Sequence, residues 1–229
     1  MTWSPLNAGK IEDAKAGVVI VTPARKKLII YANGPSRSSA RLDDPESEVW
    51  TCNSICPRDR KGRIRADRWF EMHPLSAQTP VEMQFLRDLP VPVYMFDAYP
   101  EVPQSVRFPM EIIEERFRAK RGDPGDLFTC TFCYQISLAI LEGFEQIDLC
   151  GIDLDLGTAR ERTVERMGVL YWVGVARSLG IRMGIPKGCT MYAHPWRYGY
   201  DYQEEAEHVE GMMKDVASLV AQGERIQIR

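Results

Sequence analysis

The sequence predicts an α/β protein: a Rossmann-like parallel sheet with helices on both faces, built as a single domain. Three observations lead there. Short apolar runs alternate with segments of helical spacing from residue 27 to residue 185, the pattern of parallel strands joined by right-handed crossovers. The run Leu28-Ile29-Ile30-Tyr31 stops at Ala32-Asn33-Gly34-Pro35-Ser36, a small-residue turn of the kind that lets backbone N–H groups approach a phosphate at the end of a first strand. The later strands also finish on polar residues, mostly Asn, Ser, His and Asp, where ligands collect in an open parallel sheet.

The elements follow in order. An apolar strand is expected over 18–21, then the strand 27–31, then a short strand over 48–51 that ends in Cys52-Asn53-Ser54. Residues 58–68 hold six Lys or Arg and read as an exposed loop. A strand over 68–72 ends at His73-Pro74, the spacing over 81–89 is helical, and 93–96 is a strand after Pro92. Residues 110–120 form an amphipathic helix. Residues 129–141 are apolar over a helical length and are followed by Gly143, a C-cap residue. The strand 146–150 stops at Gly151-Ile152-Asp153, a long helix over 160–179 stops at Gly180, and 181–185 is a strand before Pro186. Residues 188–202 form an aromatic loop suited to a flap, and 203–221 a terminal helix with acids near its start, matched to the helix dipole. The expected organisation is an N-terminal extension (1–26), a nucleotide-binding catalytic domain (27–202) and a C-terminal helical segment (203–229).

The chain has 229 residues, 45% of them hydrophobic and 27% charged, enough for one sizeable core. A net charge of −3 excludes polyanion binding by bulk electrostatics. No apolar run approaches the ~20 residues of a membrane span, and the polar start lacks the apolar core of a signal peptide. A cytoplasmic setting with reduced thiols is the expectation for the six cysteines. Cys130 and Cys133 form a C-x-x-C, but with no second pair and three histidines in all they read as a helix face, and no metal site is predicted.

The candidate binding residues are Asn33, Gly34, Pro35 and Ser36 on the first turn, Asn53 at the second strand end, and Thr129 and Thr131 at the start of the apolar helix. A hydroxyl N-cap accounts for Thr129 and Thr131 by itself; a helix N-terminus facing an anion is compatible with it. Asp153, with Asp155, offers a cap, a ribose hydroxyl partner or a Mg²⁺ ligand. Glu71 and His73 alternate and so point to one side, as an acid–base pair would. His194 lies among aromatics in Ala193-His194-Pro195-Trp196 and is an alternative base. The run 58–68 reads as a solvated loop or as a grip on phosphate, including that of a nucleic acid.

The turn Asn33-Gly34-Pro35-Ser36, the start Thr129-Cys130-Thr131 and the strand ending Leu149-Cys150-Gly151-Ile152-Asp153 together resemble bacterial sialyltransferases of glycosyltransferase family 42. A similar skeleton occurs in the archaeal-type 6-hydroxymethylpterin diphosphokinase group, and many small phage proteins look like it. The resemblance covers about residues 27–155. It implies a nucleotide-activated donor, such as a nucleotide sugar, contacted by Asn33, Gly34, Ser36, Asn53 and Thr131. It also implies a hydroxyl acceptor, a modified DNA base or a surface glycan in a phage-type setting. Family members carry Thr-Ser-Gly at the helix start and a histidine after the Gly-Ile-Asp strand. Here the start is Thr129-Cys130-Thr131, and no histidine lies between Asp153 and Gly188, so His73 or His194 would have to serve as base. The alternatives are diphosphate transfer from ATP to a pterin-like alcohol and a non-catalytic nucleotide-binding module.

Overall fold

A computed structural model of the chain describes residues 11–13, 18–20, 25–118, 127–154, 161–192 and 214. The chain divides into two compact units, Met1–Met191 and Tyr192–Arg229. Of the second, only Tyr192 and Lys214 are described, so residues 193–202 of the expected aromatic loop, with His194, and all of the expected C-terminal helix but Lys214 lie outside the described residues, as does Asp155; residues 188–192 end in a 3-10 turn at Thr190–Tyr192.

In the first unit, β1 (Ile11–Asp13) and β2 (Val18–Ile20) pair antiparallel as a small separate sheet. The main sheet has seven strands: β3 (Lys27–Tyr31), β4 (Ser47–Cys52), β5 (Arg68–Phe70), β6 (Val93–Met95), β7 (Ser105–Arg107), β8 (Gln146–Cys150) and β9 (Arg182–Gly184). All neighbours pair parallel, in the order β7-β6-β5-β4-β3-β8-β9. The chain moves outward from β3 to β7, then returns to the other side of β3 with β8. The reversal leaves a crevice beyond the carboxyl ends of β3 and β8, the topological switch point where open α/β sheets bind ligands.

Successive strand residues face opposite sides, and each face finds its own cover. Leu28, Ile30, Trp50, Phe70, Tyr94, Ile147 and Leu149 share the main core with α2 (Met110–Phe117), α3 (Thr131–Glu142) and α4 (Arg166–Ser178). Trp69, Val93 and Met95 face the other way, onto Leu86 and Leu89 at the end of α1 (Pro80–Asp88). Helices therefore flank both faces, as the sequence predicts. Eleven of the twelve residues of α3 are buried, which explains its nearly unbroken apolar run. Gly143, in a left-handed conformation (φ 86°), ends it.

The structure corrects several boundaries. β7 was not expected, because its three half-buried residues carry no apolar run. The expected helix 160–179 is a π-helical turn at Glu161–Glu165 leading into α4. The described helix after residue 110 stops at Phe117, with Arg118 left-handed (φ 52°).

The basic run is a largely exposed loop, as the sequence predicts. Residues 53–67 join β4 to β5 without a helix, and four of the six cations over 58–68 pair with carboxylates, those of Arg60 and Arg63 on the surface. Arg63 clamps Asp59, Arg60 pairs with Asp43, and Arg65 pairs with Asp67. Arg68 is buried: it pairs with Glu142 at 2.6 Å and Glu48 at 3.4 Å, and its guanidinium lies 4.7 Å from the Trp50 ring centre. This ionic cluster sits at the amino-terminal ends of β4 and β5, opposite the ligand end of the sheet. No described helix is long and apolar enough to cross a membrane.

Candidate functional site

Two neighbouring strand ends carry the predicted site residues, and the structure uses them differently. At the switch point, the turn after β3 is tied to the turn after β8. The Ser36 backbone N–H and hydroxyl both donate to Asp153 Oδ2, at 3.1 and 2.8 Å. The Ser36 hydroxyl accepts from the Gly151 N–H at 3.0 Å, and the Gly34 N–H donates to the Gly151 carbonyl at 2.8 Å. Asp153 Oδ1 accepts from the Thr190 N–H at 3.3 Å. A side chain at Gly34 would collide with the Asp153 carboxylate, which is why glycine stands there. Gly151 is left-handed (φ 85°), a conformation that disfavours any other residue. Asp153 is 2% exposed, and each of its carboxylate oxygens already accepts a hydrogen bond within the fold, a poor fit to a Mg²⁺ ligand. Asn33 and Pro35 remain exposed on the rim, where the Asn33 side-chain oxygen accepts from Arg37 at 2.6 Å.

At the adjacent end of β4 and β5 the polar groups are open. A cavity of about 330 Å³ is lined by Asn53, Met72, His73, Thr129, Cys130, Thr131 and Tyr134, among others. A second, of about 290 Å³, is lined by Asn53, Ser54, Glu71, His73 and residues of α1. The two share Asn53 and His73. Asn53 ends β4 in a left-handed conformation (φ 53°), which Asn tolerates. Its N–H donates to the Phe70 carbonyl and its carbonyl accepts from the Trp69 indole at 2.8 Å. With the backbone so held, its side-chain oxygen is buried and has no hydrogen-bond partner. A buried acceptor without a donor costs about 1–3 kcal/mol, so the site is arranged to receive one.

His73 stands on the same lip. Its Nδ1 lies 2.6 Å from Glu71 Oε1, and its N–H donates to the same oxygen at 3.2 Å. The Glu71 side chain is 5% exposed and that of His73 57%. A buried carboxylate on Nδ1 selects the tautomer with hydrogen there and leaves Nε2 as an open base. Burial first, and then the Glu71 charge, push the Cys52 thiol well up, so it stays protonated in the cleft wall.

The start of α3 forms the opposite wall. Its N-cap is Cys130, which makes no side-chain cap, and Thr131 is the first helical residue. The hydroxyl N-cap expected from Thr129 or Thr131 is thus not made: Thr129 Oγ1 donates to the Glu165 carbonyl at 3.4 Å instead. First-turn N–H groups left without a side-chain cap are suited to an anion.

Met72 and Tyr134 line the larger cavity without having stood out in the sequence, and Gln135 lies buried in α3 beside Tyr134. Gln135 is fully buried, donates to the Thr51 carbonyl at 3.1 Å, and leaves its own carbonyl oxygen unpartnered. A glutamine four residues after Thr131 in an otherwise apolar helix was the available signal.

No protein-family model matches the chain, and no curated protein matches it. Among solved structures it is similar to the monofunctional alpha-2,3-sialyltransferase Cst-I from Campylobacter jejuni, with a TM-score of 0.45 and 14% identity over 73% of this chain and 78% of that one. The Campylobacter jejuni sialyltransferase CstII, in complex with the substrate analogue CMP-3FNeuAc, matches with a TM-score of 0.41 and 15% identity over 71% and 80% of the two chains. An apo alpha-2,3-sialyltransferase from Campylobacter jejuni has a TM-score of 0.41 and 15% identity over 74% and 77%. What this chain does has to be read from its own residues.

Proposed function

We propose that the chain is a glycosyltransferase-like enzyme that moves a group from a nucleotide-activated donor, a nucleotide sugar, to a hydroxyl acceptor. The observation that carries this reading is His73, which lines both cavities, shares the larger one with the uncapped start of α3, and is backed by the buried Glu71 at 2.6 Å. His73 Nε2 takes the proton of the acceptor hydroxyl as its oxygen bonds to the donor carbon. Glu71 holds the ring and stabilises the imidazolium that forms. The nucleotide leaves with the bonding electron pair, and the N-terminal end of α3, which has no side-chain cap, stabilises its phosphate charge. Asn53 orients the donor through its unpartnered oxygen. Asn33 and Pro35 border the neighbouring crevice, whereas Gly34, Ser36 and Asp153 hold its shape. The sequence resemblance to family 42 sialyltransferases favours the same reaction class.

The two acceptor classes, a glycan hydroxyl and a modified nucleic-acid base, are separated by salt: DNA binding that weakens steeply as salt rises, and is lost on neutralising the exposed cations over 58–63, points to the base, and its absence to the glycan. The test is release of nucleotide from a panel of nucleotide sugars, with and without Mg²⁺. Turnover with one donor class, lost in His73→Ala and lowered in Glu71→Gln, supports the enzyme. ATP consumption that requires Mg²⁺ points to diphosphate transfer instead. Binding of nucleotide without turnover, indifferent to His73, points to a non-catalytic module.

A further inference from the structure

The C-x-x-C at the start of α3 has no part in this chemistry, yet its geometry is specific. Cys130 is the N-cap residue and Cys133 lies in the first turn. Their sulfurs are 3.8 Å apart, and the Cys133 N–H donates to the Cys130 carbonyl at 3.0 Å, which holds the turn between them. Cys130 is half-buried and lines the 330 Å³ cavity; Cys133 is buried behind it. Both are free thiols.

We propose that Cys130 and Cys133 form a reversible dithiol–disulfide site that opens on the cleft and reacts with low-molecular-weight disulfides of the glutathione type. A disulfide bond is about 2.05 Å long, so sulfurs already in contact need to close by less than about 2 Å. The environment favours a thiolate in the pair. Burial pushes the Cys133 thiol up, but the hydrogen bonds made to it, that of Cys130 foremost, outweigh burial and hold Cys133 below its ordinary value. The hydrogen bond with Cys133 and burial raise Cys130 well above its own. The uncapped N-terminus of α3 adds its dipole to the stabilisation of negative sulfur.

The exchange balances in two steps. A proton passes from the Cys130 sulfur to the Cys133 thiolate, which exposes the Cys130 thiolate to the cleft. The Cys130 sulfur attacks one sulfur of the external disulfide: a Cys130–S–S–R bond forms, the external bond breaks, and the first RS⁻ departs. Cys133 then gives its proton to that leaving group and attacks the Cys130 sulfur, expelling the second RS⁻, which takes a proton from water or buffer. Overall, two protein thiols and one RSSR become one protein disulfide and two RSH, the neutral thiol count being restored by the proton released when the pair first ionised. Thr131 and Phe132, enclosed by the new ring, both line the cleft, so the redox state of the pair and the shape of the cleft are linked.

The test equilibrates the folded, full chain in glutathione buffers from fully reduced to fully oxidised, then alkylates free thiols and digests with chymotrypsin. Cleavage after Phe128, Phe132 and Tyr134 separates residues 129–132 from 133–134, so a Cys130–Cys133 bond appears as a linked pair of fragments. The expected result is that this pair forms in oxidising buffer, disappears in reducing buffer, and that the folded near-UV circular dichroism persists throughout. Cys133→Ser should accumulate a glutathione adduct on Cys130, and Cys130→Ser should leave Cys133 unmodified in the folded state. The proposal is overturned if both cysteines are alkylated after the fully oxidised buffer, if linkage requires urea, or if the adduct in Cys133→Ser sits on another cysteine.

Discussion

The carboxyl ends of β3 and β4 are neighbours, and they are spent in opposite ways. Beyond β3 the Asn33–Ser36 turn and the Gly151–Asp153 turn consume each other's polar groups: Ser36 donates to Asp153, Gly151 donates to Ser36, and Thr190 caps the second carboxylate oxygen. Beyond β4 the polar groups are held in place but left open, with the Asn53 oxygen buried and unpartnered and the His73 ring exposed on a buried carboxylate. One strand end sets the shape of the crevice; the other holds the groups able to act in it. A motif that stands out in a sequence can therefore be architecture, with the chemistry one strand away.

Substitutions break this contrast in different observables. The largest effect is expected from His73→Ala, which should lower turnover on the active donor by about 10²–10⁴-fold, the usual worth of a general base. Its melting temperature should stay nearly unchanged, because the ring is largely exposed. Asp153→Ala should do the reverse. It strips acceptors from Ser36 and Thr190 in a buried site, a loss of about 2–4 kcal/mol. Thermal unfolding should show this as a melting temperature lower by roughly 5–10 °C. A smaller effect is expected from Asn53→Gly. Glycine keeps the left-handed backbone, and its greater freedom in the unfolded chain offsets the relief of losing the unpartnered oxygen, so stability should hold while donor affinity, read by calorimetry, falls about tenfold, or ~1.4 kcal/mol.

The far end of the sheet supplies a control that should leave both sites untouched. Burial pushes the Glu142 carboxyl up to about 7 from an ordinary 4.5, against the pull of Arg68. Between these values the folded protein keeps a proton that the unfolded chain has released. Stability should therefore fall as pH rises from about 4.5 to about 7 and level off above that. Glu142→Gln should flatten that part of the stability–pH curve, measured by urea unfolding, without changing donor affinity.

Much of this was legible in the sequence, for identifiable reasons. The strand β3 and the long buried α3 announced themselves because burial leaves them mostly apolar, Leu28-Ile29-Ile30 in the strand and all but a few positions of the helix. The Glu71–His73 pair was legible because two residues apart on extended backbone means one side. The brace between Ser36 and Asp153 was not, since its partners are 117 residues apart and each alone looks like a ligand contact. Nor were the partners of Arg60 and Arg68, since Asp43, Glu48 and Glu142 lie elsewhere in the chain. β7 was missed because three half-buried residues on a sheet edge carry no pattern.

The most direct measurement is the thermal shift produced by nucleotides and nucleotide sugars in the unmodified chain and in Asn53→Gly. A ligand at about 100 times its dissociation constant should stabilise the fold by roughly 2.7 kcal/mol. The account predicts such a shift with a nucleotide or nucleotide sugar, and a clear reduction of it in Asn53→Gly at an unchanged melting temperature of the free protein. No shift with any nucleotide, or the same shift in both proteins, would contradict the assignment of the open cleft beyond β4 as the donor site.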